Sequence, residues 1–112
     1  MLDPLAGRLE QYMNLLSARQ KLVASNIANA ETPGYTTKDL DFQGEFLSAA
    51  NDAVPNAIEV KGLPARNDGN TVNMDRETRL LAENGLRFNI ASNLLRGQIR
   101  IVREAIQEGR SG

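Results

Sequence analysis

The sequence offers few side chains that could carry out chemistry, and its acidic residues are the main candidates. Two closely spaced pairs, Asp39 with Asp41 and Glu104 with Glu108, have the residue types of a hydrolase acid and base. The first pair falls in a predicted loop and the second on a predicted exposed helix face, with no aromatic residues to form a cleft. The chain has no histidine and no cysteine, which removes imidazole catalysis, thiol nucleophiles and the common zinc ligands. We therefore predict that the protein is not an enzyme and has no catalytic residue.

The segment Asp68-Gly69-Asn70 is the best candidate for binding a metal ion. It has the oxygen ligands that calcium prefers, but the further spaced carboxylates and the terminal glutamate of an EF-hand are absent. We interpret it as a turn. No glycine-rich phosphate loop is present either, so we expect no metal, no cofactor and no small-molecule substrate.

Composition points toward assembly with other proteins. The 112 residues predict one small domain over residues 1–112, and only 4% of them are aromatic, which is little material for a self-sufficient core. The formal net charge of -1 gives no field that would steer the chain to nucleic acid or to an anionic membrane. Some apolar surface is therefore expected to be buried against partner proteins.

Two long helical patterns flank a polar middle, so the predicted fold class is mainly all-α. We predict an N-terminal helix over residues 3–31, a turn-rich middle over 32–73 and a C-terminal helix over 74–108, with the two helices pairing as a coiled coil. Asp3 and Asn73 are the expected N-caps. In the middle, a short helical segment follows Asp41, and alternation around Ile58 predicts a small β element.

Apolar residues in both long helices recur at alternating intervals of four and three, which is the heptad pattern of coiled coils. Arg19 is the polar exception to this pattern, and Gly85 and Gly97 indicate either tolerated drift or the close approach of another helix. The pattern alone would also fit a monomeric helical hairpin. The predicted packing residues are Leu5, Leu9, Tyr12, Leu16, Val23, Leu81, Phe88, Leu95, Ile99, Val102 and Ile106.

The end of the first helix carries the most informative stretch of the sequence. Thr32, Pro33 and Gly34 predict a helix stop followed by a type II turn, with the Tyr35 ring packing back on the helix end. Asn26 and Asn29 could bind free carbonyls of the last turn or the backbone of a neighbour. The residues of this motif are Ser25, Asn26, Ile27, Ala28, Asn29, Thr32, Pro33, Gly34 and Tyr35.

This motif resembles the N-terminal signature of the bacterial flagellar axial proteins, the family of rod, hook and hook-associated subunits. The segments 39–42 and 68–77 resemble, more narrowly, the proximal-rod FlgB family, and the short chain lacks room for the inserted domains of hook and distal-rod members. The resemblance implies a non-enzymatic subunit of the flagellar basal-body rod that assembles by helix packing and transmits torque for motility. The alternatives are the second proximal-rod type, FlgC-like, or a cytoplasmic coiled-coil adaptor or secretion chaperone.

The same resemblance implies a location and a set of partners. The subunit would reach the periplasmic rod through the flagellar type III export apparatus, without a cleaved signal peptide. Its neighbours would be copies of itself, other rod proteins, the rod–ring adaptor and the inner-membrane ring. Arg96, Arg100 and Arg103 form a basic row that is either solvated or paired with acidic residues of a neighbour, such as Glu10 or Asp39.

Overall fold

The computed structural model describes residues 4–48 and 55–111. Within them the chain forms three helices, α1 (Pro4–Ala28), α2 (Phe42–Leu47) and α3 (Met74–Ser111), and two strands, β1 (Lys38–Leu40) and β2 (Ala57–Glu59). The prediction of a mainly all-α fold, with a long helix at each end and a small β element between them, is confirmed. The prediction that residues 1–112 form one domain stays a prediction.

α1 ends at Ala28, before the predicted end at residue 31. The next residues tighten into turns, in which the Ala30 N–H donates to the Ile27 carbonyl at 3.2 Å and the Thr32 N–H to the Asn29 carbonyl at 3.0 Å. Such i to i+3 bonds commonly close a helix. Pro33 follows, and it has no N–H with which to continue. Asp3, the expected N-cap, lies outside the described residues.

α3 begins as predicted and continues further than predicted. Asn73 acts as its N-cap, because its side-chain oxygen accepts the Arg76 N–H at 3.1 Å. The helix runs to Ser111, so the end predicted at residue 108 was too early. A glycine such as Gly109 lowers helix propensity by about 1 kcal/mol, but without a following proline it does not stop a helix.

The two long helices pair antiparallel along one side of α3. Asn84 bonds Gln20 and Glu77 bonds Asn26, so the start of α3 lies beside the end of α1. The buried residues of α3 along this contact are Glu77, Leu80, Asn84 and Ala91, and α1 contributes Leu16 and Val23 among others. This contact line is rotated from the predicted heptad of α3, because Leu81 and Phe88 remain 40% and 39% exposed.

The middle segment packs on α1. β1 and β2 form a two-stranded antiparallel sheet in which Lys38 faces Glu59 and Leu40 faces Ala57. Asp41 caps α2, since its carboxylate accepts the Gly44 N–H at 3.2 Å.

The described part of the chain is elongated, with extents of 71 × 25 × 17 Å. At ~1.5 Å per residue, α3 is about 57 Å long and α1 about 37 Å, so the C-terminal part of α3 extends past the described start of α1. None of the described helices combines the length and the apolar character needed to cross a membrane.

Candidate functional site

The sequence motif forms the end of α1 and the turn that follows it. The Tyr35 N–H donates to the Thr32 carbonyl at 3.2 Å across Pro33 and Gly34, and Gly34 has a φ of 75°. This is the predicted type II turn, in which the third residue needs a positive φ and is therefore usually glycine. The Tyr35 hydroxyl returns to the helix and donates to the Asn26 side chain at 3.1 Å. The predicted packing of Tyr35 on the helix end is confirmed.

Asn26 is the centre of the motif, and it is fully buried. Its amide nitrogen donates to the Lys38 carbonyl at 2.8 Å and to the Glu77 carboxylate at 2.7 Å. Its amide oxygen accepts the Lys38 N–H at 3.0 Å as well as the Tyr35 hydroxyl. All four hydrogen-bonding positions of one side chain are used. Asn26 therefore connects α1, β1 and α3 at a single point.

Asn29 and Asn70 hold the next layer of the same region. The Asn29 side chain donates to the Ser25 carbonyl in the last turn of α1 at 2.9 Å. A carbonyl of the last turn was one of the two kinds of partner predicted for it from the sequence. Asn70 is fully buried and donates to the Asn29 and Thr32 carbonyls at 2.9 and 2.8 Å. Those carbonyls belong to the turns that follow α1 and also accept the Thr32 and Tyr35 N–H groups, so Asn70 provides each of them with a second hydrogen bond. The loop before α3 is thereby attached to the motif.

Two further contacts join these loops directly. The Gly34 N–H donates to the Asp68 carbonyl at 2.8 Å, and the Thr71 N–H donates to the Tyr35 carbonyl at 3.1 Å. The Asp68-Gly69-Asn70 segment, interpreted from the sequence as a turn, is one: Gly69 has a φ of 84° and its N–H donates to the Arg66 carbonyl.

A cluster of four charged side chains lies beside Asn26 and bridges α1, β1 and α3. Asp39 receives a bidentate pair of bonds from Arg19, both at 2.9 Å, and a third from Arg76 at 2.7 Å. Arg76 also bonds Glu77, which is itself fully buried. Bidentate arginine–carboxylate contacts are strong and geometrically specific. Two positive and two negative side chains therefore compensate one another within the folded chain.

Asp39 remains ionised in this cluster. Burial alone would raise the pKa of its carboxyl group, but the hydrogen bond from Arg19, the Leu40 N–H and the charges of Arg19 and Arg76 together hold that pKa below its usual value. The expectation that Asp39 could pair with a basic residue of a neighbour is wrong, because Asp39 is 5% exposed and already bound by two arginines.

The other side chains singled out for chemistry have structural surroundings. Asp41 caps α2, and Glu104 lies exposed on α3. In the described ranges 4–48 and 55–111 no three or more acidic residues gather in a way that could hold a metal ion. Every buried side-chain nitrogen or oxygen in those ranges has a hydrogen-bond partner. The polar contacts of this region therefore serve to fix the fold, since no buried polar side-chain atom of the described residues is left without a partner.

An aromatic cluster attaches α2 to α1. The Tyr12 ring meets Phe42 and Phe46 edge-on, with ring centroids 5.5 and 5.9 Å apart. The guanidinium of Arg8 lies 4.6 Å from the centre of the Phe46 ring. Tyr12 was predicted to pack in the heptad seam, and the structure instead gives it α2 as a partner.

The predicted packing residues divide into three groups by exposure. Leu16 and Val23 are buried between α1 and α3, whereas Leu9, Tyr12, Leu95 and Val102 are half-buried. The remaining five are exposed: Leu5, Leu81, Phe88, Ile99 and Ile106. Whether these five contact neighbouring subunits stays a prediction.

The sequence did not predict that four residues would belong to this polar network: Arg19, Arg76, Glu77 and Asn70. The sequence did give an indication for Arg19, because this charged residue interrupts the apolar heptad pattern of α1. In the structure, β1 places Asp39 beside it. Arg76 and Glu77 gave no comparable signal, because charged residues in the first turn of a helix are usually solvated.

Comparison with known proteins identifies the relatives of this chain. The family model described as flagella basal body rod protein matches residues 13–36, which include the motif. The flagellar basal body rod protein FlgB of Escherichia coli is 33% identical, over 97% of this chain and 99% of that protein. The FlgB proteins of Salmonella typhimurium and Cereibacter sphaeroides are 31% and 34% identical, and the alignments cover 97% and 87% of this chain.

Proposed function

Because the chain belongs to the FlgB family of flagellar basal body rod proteins, we propose that it is a structural subunit of the flagellar rod, held in place by helix packing. The relatives that align with nearly the whole chain are FlgB proteins. This favours the rod assignment over the second proximal-rod type and over a cytoplasmic adaptor. The proposed work is mechanical. Long helices that several neighbours hold along one axis make a stiff shaft that can transmit torque.

The observation that carries the proposal is an apolar stripe on α3 that the described part of the chain leaves exposed. We call it the heptad stripe, and it consists of Met74, Leu81, Phe88, Ile99 and Ile106. These residues are between 39% and 54% exposed, although their spacing places them beside the line that faces α1. Monomeric proteins rarely expose a continuous apolar surface of this length, and such surfaces usually mark interfaces.

The polar network of the motif complements this surface. It fixes the start of α3 against the end of α1 through Asn26, Glu77 and Asp39, so that the heptad stripe is presented in one orientation. The motif thereby acts within the subunit, and the stripe acts between subunits. We assign contact with neighbours to the exposed packing residues Leu5, Leu81, Phe88, Ile99 and Ile106.

The finer assignments rest on the family. We propose that the subunit lies in the periplasmic part of the rod and leaves the cytoplasm through the flagellar type III apparatus without cleavage of a signal peptide. Its partners would be copies of itself, other rod proteins, the rod–ring adaptor and the inner-membrane ring. The elongated shape of the chain is what a subunit of a thin shaft requires.

Replacement of Ile99 by aspartate tests the proposal. Ile99→Asp puts a charge into the heptad stripe and should block incorporation into the rod, because burial of an unpaired carboxylate against a neighbour is strongly unfavourable. Asn89→Asp is the matched control, since Asn89 is exposed on another face of the same helix. The measurements are swimming motility, the amount of the chain in purified basal bodies and the amount exported.

We expect Ile99→Asp to be exported normally but to be lost from basal bodies, with motility reduced at least ten-fold, and Asn89→Asp to behave as the unmodified chain. Normal motility of the Ile99→Asp strain would contradict the packing role of the stripe. Recovery of the unmodified chain only in the soluble fraction would contradict the rod assignment and favour an adaptor.

A further inference from the structure

α3 carries a second exposed apolar surface, separate from the heptad stripe. This outer stripe consists of Leu86, Ile90, Leu94 and Ile101, whose side chains are between 52% and 62% exposed. Their intervals of four, four and seven place them on one face of the helix. The line Glu77, Leu80, Asn84 and Ala91, which faces α1, runs between the two stripes. The helix therefore presents two different apolar surfaces on the two flanks of its internal contact.

Each stripe contains a position at which another helix can approach closely. Gly85 lies next to Leu81 and Phe88 on the heptad stripe, and Gly97 lies between Leu94 and Ile101 on the outer stripe. A Cβ built at either glycine would meet no atom of the described chain within 4 Å. Both glycines are thus open grooves in the helix surface, and neither is explained by packing within the described residues.

The charged residues that border the two stripes are of opposite sign where the stripes extend past α1. Arg96, Arg100 and Arg103 are exposed along the heptad stripe, and within the described residues none of the three has an ion-pair partner. Glu104 follows Ile101 at the end of the outer stripe. Toward the other end of the outer stripe, Arg79 and Arg87 flank Glu83, and all three are exposed. The two arginines outnumber that single acid, so charge favours a neighbouring basic row displaced toward the C-terminus of α3.

From these observations, and on the basis of the proposed function, we infer that the outer stripe is the docking site for the heptad stripe of a second copy of this chain. Two different surfaces meet in such a contact, so it is heterologous. A heterologous contact does not use up both surfaces of either partner and can therefore repeat from copy to copy. The displacement that the charges favour would place each successive copy further along the long axis of α3.

Two substitutions at neighbouring positions separate the two surfaces. Ile99→Asp disables the heptad stripe and Ile101→Asp disables the outer stripe, with the same change of side chain two residues apart. Asn89→Asp is the control, since Asn89 is exposed on the face of α3 that lies between the two stripes and away from α1. The full-length chains are purified, circular dichroism establishes that they are folded, and sedimentation velocity measures their association over a range of concentrations.

We expect the unmodified chain and Asn89→Asp to form a concentration-dependent series of oligomers, and each stripe variant alone to remain monomeric. An equimolar mixture of Ile99→Asp and Ile101→Asp should form a dimer that grows no further, because one chain retains only the outer stripe and the other only the heptad stripe. Adding Arg103→Glu to the Ile101→Asp chain should weaken that dimer about three- to five-fold.

Other outcomes overturn the inference. Self-association of either variant alone, unchanged by mixing, would show a contact between like surfaces. A chain that stays monomeric at every concentration would contradict docking of a second copy on the outer stripe. In that case the proposed function is judged separately, since loss of Ile99→Asp from basal bodies would still support the rod assignment without a contact between copies.

Discussion

Asn26 illustrates how the motif acts through single atoms rather than through apolar contact. Each of its four hydrogen bonds goes to a different group, and those groups belong to β1, to the turn and to α3. Aspartate would lose the two donors and place a second carboxylate against Glu77, and leucine would leave the backbone groups of Lys38 unpaired. Asparagine provides both the two donors and the acceptor oxygen without adding a charge, which accounts for its place in the motif.

The charged cluster makes the stability of the fold dependent on pH. The pKa of Asp39 is lower in the folded chain than in the unfolded chain, where it is about 3.9. A carboxylate of this kind stabilises the fold above the unfolded-state pKa, and its contribution is lost as pH falls through the folded-state pKa. Asp39→Asn should cost on the order of 3 kcal/mol near pH 7, because Arg19 and Arg76 then lose their partner.

Urea unfolding followed by circular dichroism at pH 7, 5, 4 and 3 measures this effect. The difference in unfolding free energy between the unmodified chain and Asp39→Asn should shrink as pH drops below about 4. Glu83→Gln serves as the control, since Glu83 is exposed within α3 and its replacement should change the unfolding free energy by less than about 0.5 kcal/mol. A difference for Asp39→Asn that stays constant from pH 7 to pH 3 would refute the assignment.

The motif could be predicted from the sequence, but the residues that form hydrogen bonds with it from α3 and the preceding loop could not. The residues of the motif lie within about one helical turn and a β-turn, so helix and turn chemistry predict their local structure. Glu77 and Asn70 come from sequence positions far from Asn26 and Asn29, and only the folded backbone brings them together. Their side chains are polar, so hydrophobic periodicity assigned them to the surface.

At the scale of elements, α2 depends on a few aromatic contacts with α1. Phe46 is half-buried between Tyr12 and Arg8, whereas its neighbour Leu47 is 67% exposed. Phe46→Ala should reduce the free energy of unfolding by about 1–2 kcal/mol, less than the 3–5 kcal/mol typical of a fully buried ring. Leu47→Ala should change it by less than about 0.5 kcal/mol.

Urea denaturation of the two alanine variants, compared with the unmodified chain, tests the docking of α2. Equal losses in the two variants would mean that the aromatic cluster adds nothing beyond the helix propensity of α2. The near-ultraviolet circular dichroism of the two tyrosines, Tyr12 and Tyr35, provides a second measurement. The part that Tyr12 contributes should weaken in Phe46→Ala and persist in Leu47→Ala.

The two long helices themselves were predictable, because caps, proline and periodicity agree at their beginnings and along their length. The face of α3 that packs against α1 could not be predicted in this way. Hydrophobic spacing selected Leu81 and Phe88, but the internal contact runs through Glu77, Leu80 and Asn84. Polar residues occupy that line because α1 supplies their hydrogen-bond partners, Asn26 for Glu77 and Gln20 for Asn84. Leu81 and Phe88 lie beside that line and remain exposed in the described chain.

On the scale of the whole molecule, packing decreases along the long axis. The end that contains the motif is held by buried polar and charged contacts, and α1 and α3 then pair until α1 reaches its described start. Past residue 98 the side chains of α3 are exposed or half-buried through residue 109. A helical segment of this length without a packing partner is only marginally stable in water.

Hydrogen exchange in the free subunit should follow this gradient. Amides of residues 77–91 should exchange slowest, and those of residues 99–109 should exchange at least ten-fold faster, because local opening of the unpacked segment requires little free energy. Mass spectrometry of peptides from the exchanged protein measures both regions in one experiment. Raising the protein concentration should slow exchange in residues 99–109 if other copies cover this segment, and the Ile99→Asp variant should not show that slowing. Equal protection of the two regions in dilute protein would mean that the subunit completes its own fold, and stiffness of the rod would then have to come from contacts between already rigid subunits.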